Sequence, residues 1–165
     1  MHRRALTAVL ITLAVAACTP PPPPPPPAPL PPPAPELTAA ELEAQNASRA
    51  QRLWEEGTTL GRQARWAQAE RAYRQAAALE PDSSTYSMAL AGVLLQLGRD
   101  SEAADAMLAA IRADEAGPSP NHRLLAVDYE RLIQTLDRAN RFDEARTARE
   151  KQRLHRMLRD TTPPR

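Results

Sequence analysis

Residues Arg65–Pro81 read RWAQAERAYRQAAALEP, and the organisation of the chain follows from how that stretch recurs. Ala69, Tyr73 and Ala76 are spaced by four and three positions, so they share one face of a helix. Pro81 ends that helix, because proline has no N–H to donate and its ring clashes with the preceding turn. Ala103 lies 34 residues after Ala69, and Ala110 lies 34 after Ala76. SEAADAMLAAIRA, Ser101–Ala113, is thus a second copy of the helix, with Met107 where Tyr73 stood. ANRFDEARTARE, Ala139–Glu150, is a weaker third copy, with Phe142 at the Trp66 position and Ala145 at the Ala69 position. Ala145 follows Ala103 by 42 residues; the eight added residues fall around Gly117–Leu124. They form either linker or a longer first helix from about Asn121 to Arg138. Self-similarity at such a period marks units that bury their apolar faces only by stacking.

These residues resemble the tetratricopeptide repeat, a 34-residue helix–turn–helix unit. Leu53, Gly57 and Leu60 stand where that pattern places first-helix residues; Trp66, Ala69, Tyr73, Ala76 and Pro81 match its second helix and close. Gly57 and Ala69 would let two antiparallel helices approach, while Leu53, Leu60 and Tyr73 fill the space around them. In the second unit Leu94, Leu97 and Gly98 resemble the end of a first helix and its turn. The closing proline is missing there, since that phase lands on Glu115, and AGPSP (Ala116–Pro120) supplies the break. Gly92 stands one position beyond the usual small site, which Ala91 occupies. In the third unit Gln152 replaces the second alanine and Arg149 the large apolar residue, as suits a terminal helix with no further repeat to cover it. The expectation is an all-α, right-handed superhelix of antiparallel helix pairs, a TPR-like α-solenoid of about three repeats over residues 36–160. Its units run about 50–83, 84–117 and 126–159. Residues 36–49 form either a separate N-terminal helix or a backward extension of the first repeat helix. A plain helical bundle is the alternative fold.

The resemblance also implies where such a body would bind: the concave face, made mainly by the first helix of each unit. Its lining would include Trp54, Glu55 and Thr58, then Thr85, Met88 and Gly92, then Glu130, Gln134 and Asp137. Trp54 adjoins Leu53, so one of the two must point away from the inter-helix core. Trp54 is either a binding anchor or a residue packed against the helix that begins near Glu36. A groove of three repeats suits a peptide segment or helix of a partner protein.

Ahead of this body the chain changes character. His2, Arg3 and Arg4 precede Ala5–Ala17, ALTAVLITLAVAA, a run without charge. It is shorter than the roughly 20 apolar residues that span a bilayer, but it has the length of a signal-peptide core. VAAC, Val15–Cys18, resembles the lipobox of bacterial lipoproteins; an ordinary secreted protein is the alternative. That resemblance implies removal of residues 1–17, lipid on Cys18 and an acylated new amino terminus, so that several acyl chains hold the membrane. Thr19, where an aspartate would signal inner-membrane retention, implies the outer membrane and a body facing the periplasm. A single cysteine excludes an internal disulfide. From Pro20 to Pro35 thirteen of sixteen residues are proline. Such a run favours extended polyproline II, giving a spacer on the order of 50 Å. A ligand for an aromatic-lined groove is the alternative.

Composition narrows the function classes. Alanine, leucine, glutamate, glutamine and arginine dominate the body, which favours helix throughout. The charge balance is 21 basic against 20 acidic residues, and loss of the leader with Arg3 and Arg4 leaves 19 against 20. Nucleic acid is not an expected partner, because phosphate binding needs a concentrated basic footprint. Arg149, Lys151, Arg153, Arg156 and Arg159 read as a solvated last helix whose C-terminal end favours cations. No catalytic set emerges, so the chain is not expected to be an enzyme. His2, His122 and His155 each lack a second metal ligand at useful spacing, so no metal and no cofactor are expected. Ser83, Ser84 and Ser101 read as turn or cap residues, with Ser101 capping a helix. Asp114, Glu115, Asp143 and Glu144 read as solvated carboxylates. The combined reading is an outer-membrane-anchored periplasmic TPR lipoprotein acting as an interaction adaptor or assembly factor for an envelope complex. Proteins of this build resemble pilotins and assembly factors of pilus and secretion machines, and regulators of cell-wall enzymes. Its alternative is a structural, self-associating envelope spacer without a peptide ligand.

Overall fold

The computed structural model describes residues 38–161, so the leader, Cys18 and the proline run lie outside the described residues. Among the described residues six α-helices follow one another: α1 (Ala39–Arg62), α2 (Trp66–Leu79), α3 (Ser84–Gln96), α4 (Asp100–Ala116), α5 (His122–Arg138) and α6 (Phe142–Thr161). Every substantial contact joins consecutive helices, tightest within the pairs α1/α2, α3/α4 and α5/α6. That is the TPR-like solenoid of three helix pairs expected from the 34-residue phase.

The turns inside the three pairs are built alike. Ala64, Gly98 and Asn140 each take a positive φ, and the amides of Arg65, Arg99 and Arg141 bond back to the carbonyls of Leu60, Leu94 and Leu136. This left-handed closure satisfies carbonyls at the end of each first helix and reverses the chain within three residues. Each turn delivers an arginine to the start of the next helix. Arg99 reaches Glu70 of the preceding second helix at 2.8 Å, and Arg141 reaches Asp105 at 2.6 Å. The same charged tie therefore binds α4 to α2 and α6 to α4.

Inside the first pair the approach is close. A Cβ on Gly57 would lie 2.7–3.0 Å from ring atoms of Tyr73, so only glycine fits, and Ala69 is fully buried beside them. The core then continues without a break in composition. Ala69, Tyr73, Leu90 and Leu94 pack between the first and second pairs. The largest cluster gathers Met107, Ile111, Leu125, Leu132 and Leu136 between the second and third.

The structure resolves several open points. Residues 39–49 are not a separate helix but extend α1 backwards, started by a capping box in which Thr38 and Glu41 bond each other's backbone. The eight added residues go three to α4, one to the α4–α5 connection and four to α5, by comparison with α2, the α2–α3 connection and α3. Asn121 caps α5 through a bond from the Leu124 amide. Ser101 is not a cap: α4 starts one residue earlier, and the Ser101 carbonyl accepts from Arg141 at 3.0 Å. Gln152 is buried, not a polar replacement facing solvent, and donates to the Ala126 carbonyl at 3.2 Å.

Candidate functional site

Steps of 34 and then 42 residues superimpose the three first helices, so the lining residues fall into columns. Trp54, Met88 and Glu130 occupy one position on α1, α3 and α5, and Thr58, Gly92 and Gln134 occupy the next turn. Thr85 shares a column with Gln51 and Val127, Glu55 with Ala89 and Arg131, and Asp137 with Gly61 and Leu95. Gln51 and Val127 were not among the residues expected from sequence. The column arithmetic would have found them.

Trp54 is half-buried and packs against both the Ala50–Ala76–Tyr86 cluster and the Tyr73–Leu90–Leu94 cluster. It sits at the joint between the first two pairs and not against residues 39–49, which continue its own helix. Leu53 packs against the same Ala50–Ala76–Tyr86 cluster, so both neighbours touch the core, and it also lines a groove of about 390 Å³ with Leu60, Arg65 and Ala72. Trp54 lines a cleft of about 260 Å³ together with Gln51, Ser83, Thr85 and Tyr86, between α1 and α3. Tyr86 is held there by its hydroxyl, 3.4 Å from the Gln51 side-chain oxygen. Thr58 donates to the Trp54 carbonyl at 2.8 Å and stands 3.1 Å from the Tyr73 hydroxyl, so it supports the site more than it is free to bind. Glu55 accepts from Gln51 at 2.9 Å.

Further along, Met88 is half-buried against the large core cluster, while Gly92 is exposed with open space where a side chain would stand. Exposed Glu130 and Gln134 line a groove of about 400 Å³ with Arg149, Arg153 and Arg156. Glu130 pairs with Arg156 at 3.4 Å, and Asp137 with Arg149 at 2.7 Å. The face thus runs from an aromatic cleft on α1/α3 to a charged groove on α5/α6.

One cluster corrects the sequence reading: Glu115 is not a solvated carboxylate but half-buried and bonded to other side chains, and His122 and His155, expected to stand apart, meet. His122 and His155, 33 residues apart, stand with their Nδ1 atoms 3.0 Å apart. His155 is buried, its Nε2 lies 2.9 Å from Glu115, and Tyr129 donates to the same carboxylate oxygen at 2.9 Å. Tyr129 also stacks on the His155 ring. Burial pushes the Glu115 carboxyl up, but the bonds from His155 and Tyr129, with the Lys151 charge, outweigh it and hold it below the usual range. Burial and that same carboxylate push the Tyr129 phenol well above its ordinary value. The periodic pattern gave no signal for this cluster, because its members come from three different helices, α4, α5 and α6, joined across the irregular insertion. Among the described residues no group of three or more His, Cys, Asp or Glu side chains is arranged to hold a metal ion. Nor is any described helix long and apolar enough to cross a membrane.

The sequence profile of the tetratricopeptide-repeat family matches residues 55–118. The chain is similar in structure to the TPR domain of Arabidopsis OM64, with 19% identity and a TM-score of 0.43, covering 67% of this chain and 98% of that one. No curated protein sequence matches. With the repeat geometry above, the match shows that a tetratricopeptide-repeat domain is present.

Proposed function

We propose that this tetratricopeptide-repeat domain is a non-catalytic adaptor that takes a peptide segment or helix of a partner protein along the face of α1, α3 and α5. The observation that carries the reading is Trp54: half-buried, held in place by two core clusters, with an edge open to the α1/α3 cleft. An aromatic side chain fixed in this way binds with little loss of conformational freedom, which is what makes tryptophan a frequent anchor. The sequence alone supports the finer reading: Val15–Cys18 and Thr19 for an outer-membrane lipoprotein facing the periplasm, and Pro20–Pro35 for a spacer. The partner would then belong to an envelope complex such as pilus, secretion or cell-wall machinery.

Thr85 and Glu130 are exposed, so Thr85→Arg and Glu130→Arg obstruct the face without disturbing the core. Affinity isolation of detergent-solubilised wild type is expected to retain a defined partner that the double variant loses while keeping its helical circular dichroism. Retention of the same proteins by the double variant would defeat the proposal. Capture of further copies of this chain alone would favour the self-associating spacer. Mass spectrometry of the mature N-terminus tests the anchor separately, and an unmodified Cys18 would overturn the localisation.

A further inference from the structure

We propose that His122 and His155 form a two-histidine site for a divalent transition cation of the zinc–copper class, built where α4, α5 and α6 meet. The hydrogen bonds determine the tautomers. Ionised Glu115 can only accept, and it already accepts from Tyr129, so Nε2 of His155 carries a hydrogen and donates to it. In neutral His155 the Nδ1 lone pair is therefore bare and aimed at His122, whose Nδ1 supplies the bridging hydrogen. Two imidazole nitrogens bound at about 2.0–2.1 Å to one cation lie about 2.8–3.4 Å apart for bond angles between square and tetrahedral. The observed 3.0 Å separation is already in that range. A cation takes the place of the bridging hydrogen when His122 carries its hydrogen on Nε2 instead and turns its half-exposed ring.

The surroundings of His155 match what a metal-bound imidazole needs. A histidine ligand is ordinarily held by a carboxylate on its other nitrogen, which fixes the ring and raises its basicity. Glu115 does this at 2.9 Å, is itself held by the Tyr129 hydroxyl, and has Lys151 at 3.9 Å to balance its charge. Tyr129 stacked at a ring separation of 5.5 Å keeps the His155 ring from rotating. Two protein ligands do not make a closed cage, so water completes the coordination and the ion exchanges readily. Imidazole donors select zinc, copper and nickel over magnesium and calcium, with copper(II) the tightest. The bound ion would join the first turn of α5 to the second half of α6 and so fasten the last helix pair.

The test is calorimetric titration of the full chain in a Cys18→Ala background, so that no thiol competes, with Zn²⁺, Cu²⁺ and Mg²⁺. One equivalent of Zn²⁺ and of Cu²⁺ should bind, copper more tightly, and Mg²⁺ should not. His122→Ala should weaken binding at least tenfold, Glu115→Gln by roughly tenfold or more through the lost outer contact, and His2→Ala not at all. In nitrogen-detected NMR, zinc should move the Nδ1 resonance of His155 and leave its Nε2 bonded to Glu115. Zinc should raise the unfolding midpoint of the parent but not of His122→Ala, whose own circular dichroism reports that it still folds. Absence of saturable zinc or copper binding, equal binding by His122→Ala, or loss of binding in His2→Ala would each overturn the proposal.

Discussion

At the scale of single residues, three positions work against simple propensity, and each predicts its own mutation. Gly57 lies inside α1, where alanine would gain roughly 1 kcal/mol of helix propensity. Its Cβ would meet the Tyr73 ring at 2.7 Å, and Tyr73 is buried and cannot retreat. Gly57→Ala is therefore expected to destabilise by ~1–2 kcal/mol net in chemical denaturation, the cost of overpacking exceeding the propensity gain. Ala64 is the converse case: its φ of 56° is the conformation that Gly98 adopts at the matching turn. Ala64→Gly removes backbone strain and is expected to stabilise by about 1 kcal/mol, read as a higher urea midpoint. Asp128 is a half-buried carboxylate whose pKa is raised, chiefly by burial, against weak help from Arg131 at 3.8 Å. A carboxyl whose folded value exceeds its unfolded value costs stability once pH rises through that folded value. Asp128→Asn should thus raise the melting temperature at pH 7 and lose that advantage as pH falls below the unfolded aspartate value of about 3.9.

At the scale of helices, Arg99 and Arg141, which follow the turns of the second and third pairs, tie each unit to the one before it. Glu70 receives both Arg74 and Arg99, and Arg74 first, with Arg99, holds its carboxyl below the ordinary value despite burial. The stabilisation is present above the unfolded glutamate value of about 4.3 and is lost as pH falls through the lower folded value. Glu70→Gln should lower stability by ~1 kcal/mol at pH 7 in low salt and match the parent at the acid end of that titration. A difference that did not shrink with falling pH would show that the tie is not ionic. Arg65, Arg99 and Arg141 recur at the same 34- and 42-residue steps as the alanines, but the tie itself was not legible in the sequence. The carboxylate partners sit on a neighbouring helix, and repeat spacing alone does not say which carboxylate an arginine reaches.

At the scale of the whole body, the core is not evenly distributed. The cluster between the second and third pairs holds Ile111, Leu125, Leu132 and Leu136 almost wholly buried, whereas Leu53 and Leu60 of the first pair are only half-buried. A stack held only by neighbouring contacts opens first where the interface is thinnest. Amide hydrogen exchange should therefore be slowest in α4 and α5 and fastest in α1, above all in residues 39–49. That extension has no counterpart in α3, and its side chains are mostly exposed. Uniform protection across all six helices would contradict this gradient.

What the sequence determined by itself was the architecture: alanines in 34-residue phase, a glycine facing a tyrosine and an arginine after each turn are local and periodic instructions. They specify helix pairs and the stacking of one pair on the next, because the extensive packing in such a stack joins helices adjacent in the chain. Only the tertiary structure decided that Trp54 lies in a joint between pairs with one edge open, and that Leu53 packs on the same cluster while lining a different groove. Only it brought His122, His155, Glu115 and Tyr129 together. Those outcomes depend on where helix ends fall after an irregular eight-residue insertion, and a period cannot report what breaks it.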